Sequence, residues 1–155
     1  MPAFDYTNSP YVIRSDIGIK HREYWEHLAA PGSWWTGEER INIAQESRNA
    51  RSCEFCRERK QELSPYTLKG THGEAGSLNE VTVDAVHRVV TDQERITQRF
   101  VDDIAQQGIS DAEYVELVGV VVAVLSMDEF HRALGLPLEK LLAPVKGEPD
   151  YYRPA

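Results

Sequence analysis

The sequence predicts an all-α fold, a single-domain bundle of about six or seven helices, from three observations. First, it writes a hydroxyl residue followed three positions later by glutamate four times, the reciprocal capping pattern that satisfies orphan amides at a helix start. These pairs are Thr36 with Glu39, Ser77 with Glu80, Thr91 with Glu94 and Ser110 with Glu113. Second, each is followed by apolar residues at helical spacing, such as Ile96, Phe100, Val101 and Ile104, or Tyr114, Leu117, Val118, Val121 and Leu125. Third, helix stops fall between these stretches, at Pro31-Gly32, Ser64-Pro65 and Gln107-Gly108.

Taken in order, the patterns predict helices near 17–30, 37–50, 53–63, 79–90, 93–107 and 111–134, with a short one near 138–142. The helix from 111 is apolar nearly all round between Val115 and Leu125, so it should be covered on several sides by other helices or another subunit. Its β-branched run (Val118, Val120, Val121, Val122, Val124) makes a buried strand the rival reading, but the length of the pattern and its cap favour helix. The helical domain is expected over 1–143. The remainder, 144–155, carries three prolines and cannot form a regular helix. Tyr151 and Tyr152 suggest an extended arm laid on a neighbouring subunit, against a frayed end.

The chain has 155 residues, with 17 basic and 25 acidic side chains and a net charge of −8. That size fits one domain with a substantial core. The acidic balance argues against nucleic acid as a partner. No apolar run approaches the roughly 20 residues that span a bilayer, so no membrane partner is expected. The first ten residues show neither the basic segment nor the apolar core of an export signal, which points to the cytoplasm.

The two cysteines, Cys53 and Cys56, stand together as a CxxC, which is no disulfide framework. The segment 51–60 holds four basic and two acidic residues, a local excess of positive charge that would stabilise a thiolate. Three residues apart on a helix, the sulfurs share a face and can cycle between dithiol and disulfide. Lys60 lies one turn beyond Cys56. Glu46 lies close to two turns before Cys53, a candidate proton acceptor if the helix from 37 continues unbroken through Arg51 and Ser52. Zinc needs about four ligands, and this pair plus scattered histidines does not supply them, so no metal and no cofactor is expected.

Among the five histidines, His21 and His27 suit surface or packing roles. His72, in Gly70-Thr-His-Gly73, reads as a solvated loop residue, although such a loop can fold over a site. His87 and His131 each sit on an expected helix beside apolar residues and an acid; either could shuttle protons, and His131 is preferred.

The stretch Ile43-Ala-Gln-Glu-Ser-Arg-Asn-Ala-Arg-Ser-Cys-Glu-Phe-Cys56, with Phe55 inside the motif, resembles the AhpD-like alkylhydroperoxidases of the carboxymuconolactone decarboxylase superfamily. Leu134-Gly-Leu-Pro-Leu-Glu139 resembles the stretch after the last long helix of that family. The resemblance implies an oligomeric helical fold, commonly a trimer or hexamer. It also implies thiol peroxidase chemistry, with Cys56 attacking the peroxide and Cys53 resolving the sulfenic acid as a disulfide. The family pattern places a glutamate twelve residues before the first cysteine and a histidine four after the second; here those positions hold Ile41 and Lys60. Glu46, with His87 or His131 brought in by folding, is the expected replacement. The candidate catalytic set is therefore Cys56, Cys53, Glu46, Lys60 and His131, acting on a hydroperoxide or disulfide and regenerated by a thiol reductant protein. The alternative is a non-catalytic redox-sensing or oligomerisation module of the same fold.

Overall fold

The computed structural model describes residues 3–73 and 76–155. Among them all regular structure is helical: α1 (Ser15–Ala29), α2 (Gly37–Ala50), α3 (Glu54–Gln61), α4 (Glu80–Thr91), a 3₁₀ turn (Gln93–Arg95), α5 (Gln98–Gln106) and α6 (Asp111–Ala133). The β-branched run 118–124 lies within α6, so the strand alternative is excluded. None of these helices is long and apolar enough to cross a membrane.

Two of the four capping patterns form. Thr36 and Glu39 start α2, and Ser110 and Glu113 start α6, with both reciprocal bonds present; such caps each contribute about 1 kcal/mol. The other two are displaced by better-placed competitors. Asn79 caps α4 by accepting the Thr82 amide, while Ser77 takes a bond from Asn42. Thr91 ends α4 with its hydroxyl donating to the His87 carbonyl, so the expected single helix over 93–107 divides into the 3₁₀ turn and α5. At Gly108 the backbone takes φ +103°, and the Ile109 amide closes back onto the Ile104 carbonyl, the left-handed helix ending that glycine permits.

Helix α2 lies at the centre, packed against α1, α4 and α6, and α4 also meets α3 and α6. Ile43, Ala44, Val86, Leu117, Val121 and Val124 are fully buried where α2, α4 and α6 meet. The register of α2 on α6 is held by Arg48, which donates two bonds to Asp128 at 2.9 and 2.8 Å. This pair is nearly enclosed, and removing one partner of such a pair costs about 3–5 kcal/mol. Helix α6 is covered on one side only: Val115 and Val122 are exposed, and Tyr114, Val118, Val122 and Leu125 line an apolar surface groove.

The short helix expected near 138–142 does not form; residues 136–155 run without regular structure. Their backbone and side chains are held by earlier segments instead: the Trp25 indole donates to the Lys140 carbonyl, and Glu139 accepts the Phe4 amide. The tail, read from sequence as either a frayed end or an extended arm, lies extended along its own chain. Amides of Val145, Asp150 and Tyr151 donate to carbonyls of Ala29, Gly32 and Ser33, and the Tyr151 ring meets Trp34 edge-on.

Candidate functional site

The two sulfurs sit where the chain turns between α2 and α3. Helix α2 stops at Ala50, Arg51 and Ser52 turn, and Cys53 occupies the position before α3 with extended backbone, φ −67° and ψ 119°. Cys56 follows in the first turn of α3, so both thiols lie at the amino terminus of that helix. Cys56 is buried, Cys53 is partly exposed, and neither is in a disulfide. The break means Glu46 does not reach Cys53 along one continuous helix, as the sequence reading required.

Glu46 reaches the thiols through a second helix. His87, in the middle of α4 and fully buried, places Nδ1 3.1 Å from the Cys56 Sγ and Nε2 2.6 Å from the Glu46 Oε1. The carboxylate is itself 1% exposed, so the contact is made away from water. A carboxylate only accepts, so Nε2 carries the hydrogen and Nδ1 offers its lone pair to the Cys56 thiol. Burial, with help from the nearby His72 charge and against the pull of Glu46, lowers the His87 pKa. At neutral pH it is a neutral imidazole, a base aimed at sulfur.

A second histidine closes over both sulfurs. The His72 Nδ1 lies 3.4 Å from Cys53 Sγ and 3.4 Å from Cys56 Sγ, while Nε2 lies 2.8 Å from the Asp84 Oδ1. Burial opposes its protonation, but hydrogen bonds to Asp84, Cys56 and Cys53 outweigh this and raise its pKa to about 10. His72 is therefore an imidazolium at neutral pH. Burial likewise works against ionisation of Asp84, yet His72 and Arg59 bring its pKa down to about 2. Arg59 holds Asp84 at 2.5 Å and reaches toward Cys56 Sγ with Nη2 at 4.0 Å. Burial pushes the Cys53 thiol up, and the His72 bond with the Cys56 amide overcomes it, leaving a lowered pKa.

The loop carrying His72 is seated by the residue inside the CxxC. Phe55 lies so close to Gly70 that a Cβ there would stand 2.5 Å from its ring, and the same ring meets His72 edge-on with centroids 5.0 Å apart. Any larger residue at position 70 would force the loop and the Phe55 ring apart. The Asn49 amide completes the seat by donating to both Glu46 and the Gly73 carbonyl.

Of the residues singled out from sequence, Cys53, Cys56 and Glu46 come together, and with them His87, the second choice behind His131. Lys60 lines a cleft of about 290 Å³ that also contains both cysteines, Arg57, Val90 and Thr91. His131 belongs to another cluster: Nε2 bonds the Tyr6 hydroxyl at 2.8 Å and Nδ1 the Pro137 carbonyl at 2.6 Å. With both nitrogens engaged there, it has none to offer the thiols. His72, Asp84 and Arg59 were not among the candidates. Asp84 and His87 are three residues apart and share a helix face, which is the signal that could have marked α4 as a wall of the site.

The scatter of histidines along the sequence argued against a metal. Folding removes that objection for two of them: one ligand atom from each of Cys53, Cys56, His72 and His87 lies within 4.8 Å of all the others. No protein-family model, curated protein or solved structure matches the chain.

Proposed function

We propose that the chain is a CxxC thiol peroxidase, similar in chemistry to the AhpD-like alkylhydroperoxidases, that reduces hydroperoxides through a Cys53–Cys56 dithiol/disulfide cycle. The observation that carries this reading is the buried Cys56–His87–Glu46 chain, in which a base faces the thiol and a carboxylate orients the base. It supplies by folding what the motif lacks at Ile41 and Lys60.

His87 Nδ1 takes the proton of the Cys56 thiol, and Glu46 stabilises the imidazolium so formed. The thiolate attacks the terminal peroxide oxygen; the O–O bond breaks, sulfur is oxidised to the sulfenic acid, and the leaving alkoxide takes the proton back from His87. Cys53, reacting as the thiolate that the His72 contact favours, then attacks the Cys56 sulfur. Hydroxide leaves and takes the His72 proton, so the sum is dithiol plus hydroperoxide giving disulfide, alcohol and water. His72 suits this second step because its Nδ1 is equidistant from the two sulfurs. A dithiol reductant reopens the bond through the cleft over Cys53, which places the cycle in a reducing compartment such as the cytoplasm. An oligomer of this fold would bury the apolar groove of α6.

Mass spectrometry of alkylated thiols after one equivalent of an organic hydroperoxide tests the reading. Both thiols should disappear within seconds to minutes with loss of two hydrogens. Cys53→Ser should stop at a Cys56 sulfenic acid trapped by dimedone, and Cys56→Ser should abolish turnover. Undiminished turnover in Cys56→Ser overturns the assignment. Slow stoichiometric oxidation accompanied by a change in assembly would favour the redox-sensing module.

A further inference from the structure

We propose that the reduced site is also a binding site for Zn²⁺, with Cys53 and Cys56 Sγ and the Nδ1 atoms of His72 and His87 as its four ligands. This goes beyond the peroxidase reading and does not depend on it.

The donor set is two thiols and two imidazoles, the complement of a tetrahedral zinc site. An ion with Zn–S of about 2.3 Å and Zn–N of about 2.1 Å spaces adjacent sulfur and nitrogen ligands by about 3.6 Å. Three of the four sulfur–nitrogen separations are 3.4, 3.4 and 3.1 Å and all four ligand atoms lie within 4.8 Å of one another, so admitting the ion requires movements of up to about 1 Å. The loop-borne His72 can supply that movement, while Cys56 and His87 are fixed by α3 and α4.

The surroundings match as well as the ligands. Each histidine turns Nδ1 inward and commits Nε2 to a carboxylate, His72 to Asp84 and His87 to Glu46. That outer carboxylate fixes tautomer and ring orientation and makes the ligating nitrogen more basic, which is how metal-binding histidines are held. Two thiolates neutralise a dication, and Arg59 offsets the charge of Asp84. Soft sulfur and imidazole donors select zinc over magnesium or calcium. A bound ion would occupy both sulfurs and the His87 lone pair, so metal and peroxide compete for the same atoms.

Co²⁺ is the spectroscopic probe. Titrated into metal-free reduced protein, it should give intense tetrahedral d–d bands and thiolate-to-cobalt charge transfer that saturate at one equivalent, and one equivalent of Zn²⁺ should bleach them. His72→Ala, a loop substitution checked for folding by circular dichroism, should weaken Co²⁺ binding more than about 100-fold, since loss of even an outer-shell partner costs about 10–100-fold. The unsubstituted protein oxidised to the Cys53–Cys56 disulfide should give no tetrahedral spectrum. A weak octahedral spectrum in the reduced protein, or tetrahedral binding that survives the disulfide, overturns the proposal. Failure here leaves the peroxide reading intact, because that reading uses the same groups as proton carriers.

Discussion

Replacing Glu46 by Gln tests whether the buried relay does chemical work. The glutamine oxygen can still accept from His87 Nε2, so the ring stays oriented, but the full negative charge facing it at 2.6 Å is lost. A hydrogen bond to a charged group contributes about 1.5–3 kcal/mol, and here the gain is largest when His87 carries the Cys56 proton. At about 1.36 kcal/mol per decade, that loss slows formation of the Cys56 sulfenic acid by about 10–150-fold. Glu46 also raises the His87 pKa against the effect of burial, so the variant's base is weaker still. Stopped-flow oxidation by an organic hydroperoxide reads the rate, with circular dichroism confirming the fold. An oxidation rate within about twofold of wild type would refute the claim that this carboxylate powers the relay.

Three further outcomes follow from the same geometry. Gly70→Ala drives a methyl group into the Phe55 ring, so the loop lifts His72 from the sulfurs; disulfide closure after sulfenic acid formation should slow, measured as longer-lived dimedone reactivity, while the first oxidation step is spared. Asp84 has its pKa lowered from 3.8 to about 2, so its contribution to stability is complete above 3.8 and is lost as pH falls through about 2. The shift corresponds to at most about 2.5 kcal/mol, and with the carboxylate 36% exposed screening reduces this to about 1 kcal/mol. Urea denaturation across that range should show the acid limb in wild type and its loss in Asp84→Asn. Leu117→Ala empties a fully buried position between α6 and its neighbours, which should cost about 2–5 kcal/mol and lower the melting midpoint by about 5–15 °C in a thermal scan.

How much was legible in the sequence depended on the range of the interaction. Thr36 with Glu39 and Ser110 with Glu113 announce helix starts because their bonds close within one turn. Ser77 and Thr91 carry the same local signal and lose it to tertiary competitors: Asn42 engages the Ser77 hydroxyl, and Thr91 falls inside the helix that holds His87. The expected helix near 138–142 fails because Glu139 and the Lys140 carbonyl find partners in the first 25 residues. At the site, Cys53 and Cys56 are visible as a motif and Glu46 through its spacing. His72 is not, since nothing local reveals that Phe55 would seat its loop. His131 attracted attention as a helical histidine beside apolar residues, a setting His87 shares. What separates the two is the partner brought by packing, Tyr6 for one and Glu46 for the other.

Glu46 and His87 stand 41 positions apart, on helices that meet only when the bundle closes. No short fragment of the chain holds both, and an excised CxxC peptide is an ordinary dithiol with unassisted sulfur chemistry. In the proposed chemistry the assistance to Cys56 therefore exists only while α2 and α4 are packed together. On that proposal, a molecule that opens loses the base facing Cys56 as it exposes the thiol, so an unfolded copy is expected to react as an unassisted dithiol. The proposed reactivity would thus report assembly, through two helices that have found each other.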